Sequence, residues 1–226
     1  LRIGGPAQYL IEAETAGDVI DALRLTRETD IPFHFLAGGS NVLVCDEGLS
    51  GLAVIDTIRT AEWYDAHTVR VSGGYPLDKL VSELSQRGWG DLSFAAGIPG
   101  SVGGALAGGA GAFGHLVCEY LREADILHRD GTIETLPAQA LGIDYRCSEI
   151  RNRRDIILFA ELGHFSQDNP RHLLDACAAI RAERETKHPG QQLPSAGSFF
   201  KNLPPSEPGG RRTPAGKLLE EAGVKS

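Results

Sequence analysis

The spacing of apolar and polar positions predicts a strand, helix and strand near the start of the chain. Residues 9–11 and 32–36 have the composition of short strands. Between them, residues 18–27 place apolar side chains at helical spacing, with Asp18 near the start, where a carboxylate is favourable. With residues 42–44 read as a further strand, the pattern predicts a β-loop-α-β-loop-β unit of about 40 residues.

A second region follows, for which the pattern predicts strands at residues 52–55, 61–64 and 69–72. Residues 77–86 are predicted to form a helix, because Leu77, Leu80, Val81 and Leu84 fall on one face. Asp78 supports the first turn of that helix, and Gly88 is placed to end it.

The later part of the chain also reads as mixed strands and helices. The dipeptide Asp130-Gly131 predicts a hairpin, and residues 156–160 predict a buried strand. Residues 171–185 predict a long helix with four inward side chains, and residues 215–222 predict another with Leu218 and Leu219 apolar. The four expected inward side chains are those of Leu173, Leu174, Ala178 and Ile180. The pattern therefore predicts a chain that mixes strands and helices.

Composition excludes several kinds of partner. The chain has 226 residues and a net charge of -8 without a basic block, which argues against nucleic acid. Its four cysteines form no CxxC pair and no cluster with histidines, so we expect reduced structural thiols and no zinc. Neither a signal peptide nor a bilayer-length apolar run is present, and we expect a cytoplasmic protein.

The loop Gly38-Gly39-Ser40-Asn41 has two interpretations. Glycine and asparagine accept positive φ, so the loop fits a tight turn between strands. Consecutive exposed N–H groups beside serine and asparagine side chains also suit an anion nest for a pyrophosphate. It is not a Walker A loop, because no Gly-Lys-Ser/Thr follows.

Residues 94–114 are rich in glycine and alanine and contain almost no charge. Residues 109–114 match the pattern GxGxxG, but a Rossmann fold requires a strand before that pattern and a helix after it. The residues before it are too small for a buried strand, and residues 120–127 resemble a strand. We therefore reject the Rossmann fold and expect backbone packed against a large flat ligand such as a flavin. The alternative is a flexible glycine-rich loop.

The stretch Pro194-Ser195-Ala196-Gly197-Ser198-Phe199-Phe200-Lys201-Asn202 combines small residues, a hydroxyl, two rings, a cation and an amide. Small residues let backbone approach a planar ligand, and the rings can exclude water from a polar site. The alternative is a glycine turn that enters a strand, with Phe199 in the core and Lys201 in solvent.

This stretch resembles the signature of the bacterial UDP-N-acetylenolpyruvoylglucosamine reductase (MurB) family. Three other stretches match the family in the same order: Leu36-Ala37-Gly38-Gly39-Ser40-Asn41, Ala96-Gly97-Ile98-Pro99-Gly100-Ser101-Val102-Gly103-Gly104, and Tyr145-Arg146. The resemblance implies the fold class α+β, with an FAD-binding fold of the vanillyl-alcohol-oxidase (PCMH) type. It divides the chain into FAD-binding subdomains at residues 1–55 and 56–165 and a substrate-binding subdomain at residues 166–226.

The resemblance also implies a function and a set of site residues. NADPH reduces a bound FAD, which then reduces an enolpyruvyl UDP-sugar to UDP-N-acetylmuramate, and the protein is expected to be a monomer. Ser198 matches the family's proton donor and Arg146 its enolate-stabilising arginine, while Tyr145, Lys201 and Asn202 match substrate-binding positions. Without the resemblance, Ser198 reads as a turn serine and Arg146 as a surface arginine. The expected FAD-binding residues are Gly38, Gly39, Ser40, Asn41, Ala96, Gly97, Pro99, Gly100, Gly103, Gly104, Gly109 and Gly111.

The chain departs from the family pattern at several positions. Gly109 stands where the family usually has asparagine, Phe113 replaces tyrosine, and Cys147 follows the expected Tyr-Arg pair. The family's third catalytic residue is a glutamate expected beyond residue 226, so none is assigned here, and we expect the chain to be a fragment. Two rival functions are another FAD-dependent oxidoreductase of the same fold and a flavin-binding paralogue without activity.

Overall fold

A computed structural model of the chain describes residues 3–64, 67–187, 200–207, 210 and 212–224. The chain divides into two compact units. One unit comprises residues 2–184, and the other comprises residue 1 with residues 185–226.

The larger unit begins with a parallel three-stranded sheet. Strands β1 (Ala7–Ala13), β2 (Phe33–Leu36) and β3 (Leu49–Asp56) are arranged in the order β1-β3-β2, with β3 in the centre. Helix α1 (Ala16–Thr29) connects β1 to β2 and buries Val19 and Leu23 in a core that includes Val54. Because the strands are parallel, their carboxyl ends meet at one edge of the sheet.

The start of α1 is fixed by a capping box. The Thr15 side chain accepts a hydrogen bond from the Asp18 N–H at 3.2 Å, and the Asp18 carboxylate accepts one from the Thr15 N–H at 2.8 Å. These bonds satisfy two N–H groups that a helix terminus leaves without intrahelical partners. Asp18 was therefore correctly placed at the helix start from the sequence.

A second sheet has five antiparallel strands in the order β4-β5-β10-β8-β9. Leu127 of β8 pairs with Ile133 of β9 across the hairpin predicted from Asp130-Gly131, in which Gly131 has a φ of 89°. This sheet lies over a core of buried aliphatic side chains that includes Val71, Leu80 and Leu106. The strands are β4 (Ala61–Trp63), β5 (Val69–Ser72), β8 (Leu121–Leu127), β9 (Ile133–Pro137) and β10 (Ile156–Leu162).

The remaining elements surround this second sheet. Helix α2 spans the predicted residues and buries the predicted face. The two strands β6 and β7 form a small ribbon between α3 and β8. The bounds are α2 (Leu77–Gln86), α3 (Val102–Ala107), β6 (Gly111–Ala112), β7 (His115–Leu116), α4 (Glu149–Arg153) and α5 (Pro170–Lys187). In the smaller unit, α6 (Ala215–Glu221) confirms the last predicted helix, and Leu203 pairs with Thr213.

Two strand predictions were wrong: one strand does not form, and the other belongs to a different sheet. Residues 42–44 form no strand: Val42 closes a turn by donating its N–H to Gly39 O at 3.3 Å, and Val42 and Leu43 are exposed. Apolar character alone suggested a strand there, but no strand of the described residues pairs with it. Residues 52–55 belong to β3 of the parallel sheet, not to the second region.

The Rossmann fold is correctly rejected, because no strand directly precedes Gly109 and a strand, not a helix, forms at residues 121–127. Residues before Gly109 form the short helix α3, whose N-cap Ser101 accepts a hydrogen bond from the Gly104 N–H. After Gly114 the chain continues through β7 and a 3₁₀ turn into β8, which pairs only in antiparallel fashion. The glycines therefore do not join a parallel strand to a long helix.

The predicted inward face of α5 needs correction. Leu173 is buried and Ile180 partly buried, but Leu174 and Ala178 are exposed. Cys177 takes the buried position instead, and its Sγ lies 3.4 Å from the Ser85 Oγ of α2. A small thiol fits this close approach between two helices, whereas the sequence pattern favoured the larger aliphatic residues.

We expect Thr15→Ala to lower the free energy of unfolding by about 1 kcal/mol, because the α1 N-cap hydrogen bond is lost. The N–H groups of Thr15 and Glu14 and the Thr15 side chain hold the pKa of Asp18 below its ordinary value. The Asp18 contribution should therefore be present above the ordinary pKa of 3.8 and be lost as pH falls through the lower folded value. Urea unfolding of Thr15→Ala at neutral pH measures the loss of stability, with Thr29→Ala as a control at the other end of α1.

Candidate functional site

A large cleft lies along the carboxyl edge of the parallel sheet. One part has a volume of about 730 Å³ and is lined by the end of β2, by Asp56 of β3 and by the glycine turns of the second sheet. A second part of about 390 Å³ continues from it along the loop after β2. Asn41, Ser101 and Gly104 line both parts. Parallel sheets commonly bind ligands at this edge, where the loops after the strands converge.

The loop after β2 forms one wall of the cleft. Gly38, Gly39, Ser40 and Asn41 all line it, and their expected contact with FAD stays a prediction. Gly39 has a φ of 63°, and a side chain at Gly38 or Gly39 would meet no other atom within 4 Å. This space leaves the backbone accessible to a ligand, so both the turn and the anion-nest interpretation fit the loop.

Pro99 and Gly100 form the opposing wall. The Ser40 Oγ donates a hydrogen bond to Pro99 O at 3.4 Å, and a side chain on Gly100 would lie 2.8 Å from that Oγ. Gly100 also has a φ of 113°, a conformation that favours glycine. The two glycine loops that the sequence singled out are therefore brought together across one cleft.

Close backbone packing shapes the floor of the larger part. The Gly103 N–H donates to Gly73 O at 2.7 Å, and the Gly73 N–H donates to Leu158 O at 2.8 Å. A side chain on Gly73 would lie 2.1 Å from Ile157 O, and one on Gly103 would lie 3.0 Å from the Gly73 Cα. Only glycine allows α3, β5 and β10 to approach this closely, and Gly73 was missed from the sequence.

Asp56 is a second residue that the sequence analysis missed. Its side chain ends β3 on the cleft, only 2% of the residue is exposed, and its Oδ1 accepts a hydrogen bond from the Ile58 N–H at 3.0 Å. Burial raises the pKa of this carboxyl, against the opposing effects of the Ile58 N–H and the Arg59 charge. A carboxylate directly after an apolar strand was the signal available in the sequence.

Arg146 lines the smaller part of the cleft. It adopts a φ of 57° within a tight loop, closed by hydrogen bonds between Asp144 and Cys147 of 3.0 and 3.1 Å. Its guanidinium lies 5.6 Å from the centroid of the Tyr145 ring, which itself is not part of the cleft lining. The predicted arginine is thus brought to the same cavity as the predicted glycine loops.

Gly109 supports the Arg146 loop from behind. It has a φ of 55°, and its carbonyl accepts a hydrogen bond from the Arg146 N–H at 3.4 Å. A side chain at Gly109 would lie 1.9 Å from Asp144 O. The glycine that departs from the family pattern therefore permits this loop to approach closely in this chain.

Three other predicted FAD-binding residues do not line the cleft. Ala96 is fully buried in the core, and Gly111 pairs with Leu116 in the β6–β7 ribbon. Gly97 donates its N–H to the Asp78 Oδ1 at 2.7 Å. Their small size serves packing and chain direction, which the glycine-rich composition did not distinguish from ligand contact.

Asp78 and two arginines of α5 hold the loop that carries Gly97. Arg181 binds the Asp78 carboxylate, with its Nη2 2.8 Å from Oδ1. The Arg184 Nε donates to Ala96 O at 2.9 Å, and burial lowers the pKa of this guanidinium. This network fixes the residues that lead into Pro99 and Gly100, so it positions the second wall of the cleft.

Three predicted site residues fall outside residues 2–184, which form the larger unit. Lys201 and Asn202 belong to the smaller unit, where the Asn202 Oδ1 accepts a hydrogen bond from the Ala215 N–H at 3.1 Å. Ser198 lies outside the described residues. Its predicted role therefore stays a prediction.

The cleft fits a flavin dinucleotide in size and surface. A volume of about 730 Å³ falls within the usual range of about 300–1,000 Å³ for small-molecule and cofactor sites. Its walls combine exposed glycine backbone at Gly38 and Gly39 with cations at Arg129 and Arg146. Such walls suit a ligand that has a flat ring and phosphate groups.

Comparison with known proteins agrees with this fit. A family model described as an FAD binding domain matches residues 7–137. UDP-N-acetylenolpyruvoylglucosamine reductase 2 of Symbiobacterium thermophilum is 38% identical over the whole chain, which covers 70% of that relative. The chain belongs to the UDP-N-acetylenolpyruvoylglucosamine reductase family. The enzyme of that name from Bacillus subtilis is 34% identical, again over the whole chain and 72% of the relative.

A solved structure of the same family supports the fold. MurB from Thermus caldophilus superposes with a TM-score of 0.75 at 29% identity, covering 96% of this chain and 73% of that one. The expected FAD-binding α+β fold of the MurB family is therefore confirmed, and FAD is the cofactor of its FAD-binding domain.

In the described part of the chain, no group of three or more His, Cys, Asp or Glu side chains could hold a metal ion. Among the same residues, no helix combines the length and apolarity needed to cross a bilayer. The four cysteines all carry free thiols.

Proposed function

We propose that the protein reduces the enolpyruvyl group of UDP-N-acetylglucosamine enolpyruvate to give UDP-N-acetylmuramate, a step of peptidoglycan precursor synthesis. The observation that carries this proposal is the meeting of the two glycine loops and Arg146 at one cleft, in a chain of the MurB family. NADPH is the proposed reductant. When bound, FAD supplies the hydride transfer from NADPH to the enolpyruvyl double bond.

The chain's own residues stabilise the negative charge that hydride addition produces and supply the proton that completes the reduction. Hydride addition leaves negative charge beside the substrate carboxylate, and a fixed guanidinium at Arg146 is suited to stabilise it. The Ser198 Oγ then donates a proton to the carbon next to that carboxylate. Tyr145, Lys201 and Asn202 are proposed to contact the UDP-sugar. Arg146 is supported by its position on the cleft, and the other roles rest on the family resemblance.

Further proposals concern the organisation of the protein. We place FAD-binding subdomains at residues 1–55 and 56–165 and a substrate-binding subdomain at residues 166–226. The three-stranded sheet and the five-stranded sheet support the first boundary, because β3 ends at Asp56. We further propose a monomer that acts in the cytoplasm on a small-molecule substrate.

The test begins with the cofactor. The purified protein should be yellow, and a colourless protein should gain a bound-flavin spectrum on adding FAD. An absorption spectrum without flavin bands, unchanged by FAD, would contradict the proposal and both flavin alternatives. With the complete gene product, NADPH oxidation should depend on the enolpyruvyl UDP-sugar. Flavin binding without that dependence would instead favour another flavin oxidoreductase or a paralogue without activity.

A further inference from the structure

The loop that carries Arg146 is fastened to the end of α3 by a buried serine side chain. Ser148 follows Arg146 by two residues, and none of its surface is exposed. Its Oγ donates a hydrogen bond to Ala107 O at 2.6 Å and accepts one from the Arg151 N–H at 3.1 Å. Ala107 is the last residue of α3, and Ser148 is the N-cap of α4. One hydroxyl therefore joins the end of one helix to the start of the next.

Both hydrogen bonds use backbone groups that helix ends leave without an intrahelical partner. The Ala107 carbonyl lies in the last turn of α3, and the Arg151 N–H lies in the first turn of α4. An alanine at position 148 would remove the partner of both groups in a place from which solvent is excluded. The segment that begins α4 would then lose its attachment to α3.

The backbone of Arg146 adopts a conformation that needs such support. Its φ of 57° lies in the left-handed region, which residues other than glycine seldom occupy. Two hydrogen bonds between Asp144 and Cys147 close the turn around it, and the Arg146 N–H donates to Gly109 O at 3.4 Å. Residues in such conformations persist where the surrounding structure determines them, and they cluster at functional sites. The turn sets the direction of the Arg146 side chain, and Ser148 sets the place of the turn.

The end of α3 to which Ser148 is bound belongs to the cleft. Ala107 lines the larger part, and Gly108, the C-cap of α3, lines both parts. Arg146 lines the smaller part. A shift of the Arg146 loop away from α3 would therefore move Arg146 relative to the cavity. A displacement of about 1 Å in a reacting geometry can cost about 100-fold in rate.

We propose that Ser148 is a positioning residue for Arg146, because its hydroxyl holds the Arg146 loop against the end of α3. The proposal rests on the function proposed above, in which Arg146 stabilises the negative charge that develops beside the substrate carboxylate. Ser148 is fully buried and lines neither part of the cleft, so it acts through Arg146 and not on the substrate. It should matter only in the step that uses Arg146, which is the reduction of the enolpyruvyl group.

The test measures the two half-reactions separately, by stopped-flow flavin absorption of the complete gene product. In Ser148→Ala, flavin reduction by NADPH should stay within about 2-fold of the wild type, and reoxidation by the enolpyruvyl UDP-sugar should slow about 10–100-fold. Arg146→Gln should slow reoxidation about 10²–10³-fold, because a fixed donor to the developing charge is lost. In the combined variant, Ser148→Ala should add less than about 2-fold to the loss from Arg146→Gln, because no arginine is left to position.

Thr15→Ala is the matched control, because it also removes a serine-type N-cap hydrogen bond, at the start of α1. It should leave both half-reactions within about 2-fold of the wild type. Urea unfolding of the two flavin-free variants shows whether their stabilities are comparable. If Ser148→Ala does not fold, Ser148→Cys keeps the size of the side chain and weakens the donor. It should slow reoxidation alone, by about 3–10-fold, and wild-type rates in both steps would overturn the proposal.

The outcomes separate the positioning role from the proposed function. Equal slowing of both half-reactions in Ser148→Ala, or losses that multiply in the combined variant, would show that Ser148 serves only the stability of α3 and α4 and would overturn the proposal. Wild-type reoxidation in Ser148→Ala beside slow reoxidation in Arg146→Gln would also overturn it and would leave the proposed function intact. Wild-type reoxidation in Arg146→Gln would overturn the proposed role of Arg146 itself.

Discussion

Replacing Ser198 with alanine should leave the first half-reaction intact and slow the second by a factor of about 10²–10⁴. NADPH should bleach the flavin absorption of the variant at the wild-type rate, because no proton from Ser198 is needed in that step. The return of absorption on adding the enolpyruvyl UDP-sugar should be slow, because the hydroxyl that protonates the substrate carbon is gone. Stopped-flow absorption of the complete gene product measures both rates separately.

A neighbouring serine supplies the control for this prediction. Ser195→Ala removes the same group three positions earlier in the same stretch, and it should leave both half-reactions near the wild-type rates. A Ser198→Ala variant in which both half-reactions slow equally would show that the residue serves structure. The difference between the two half-reactions is thus more informative than the size of the overall loss.

Most helices and strands could be predicted from the sequence, because their signals lie within short stretches of neighbouring residues. The bounds of α2 and the β8–β9 hairpin followed from helical spacing at Leu77, Leu80 and Leu84 and from the Asp130-Gly131 turn. Apolar spacing failed at residues 42–44, because strand formation also needs a pairing neighbour that a local pattern does not reveal. It failed again at Cys177, where the distance between α2 and α5 decides which side chain fits.

The candidate site was predicted only in part, and the division has a physical reason. Gly38, Gly39 and Gly100 were recognised because glycine-rich loops carry a visible pattern, and all three line the cleft. The same pattern included Gly97 and Gly111, whose glycines serve packing against protein. Composition shows that backbone approaches something closely, but it does not show whether that partner is a ligand or another part of the chain.

The sequence analysis missed cleft residues that come from separate segments and meet only in the folded chain. Asp56, Arg129 and Arg154 lie in three separate segments and meet only because the parallel sheet, the β8–β9 turn and the end of α4 face one cavity. The sequence analysis assigned no role to Arg151 or Arg154. In the folded chain both arginines line one cavity, and no spacing in the sequence reveals that shared position.

We expect Gly73→Ala to cause the largest loss of stability among single changes at the cleft. The added methyl group would lie 2.1 Å from Ile157 O, and that carbonyl belongs to the backbone of β10, so it cannot rotate away. Relief requires the β5 turn to move, which strains the hydrogen bonds from the Gly73 N–H to Leu158 O and from the Gly103 N–H to Gly73 O. Overpacking of this kind costs about 1–3 kcal/mol, and the rigid partner places this case at about 3 kcal/mol.

The same movement should displace the α3 end of the cleft, so FAD affinity should fall by about 10-fold or more together with stability. Gly38→Ala is the matched control on the opposite wall, because a methyl group there meets no atom within 4 Å. Its free energy of unfolding should stay within about 0.5 kcal/mol of the wild type. Urea unfolding followed by the fluorescence of Trp63 and Trp89, both in the larger unit, measures the two variants. A Gly73→Ala protein as stable as Gly38→Ala would show that β5 and β10 can separate here without cost, which would contradict the close backbone packing that shapes the cleft.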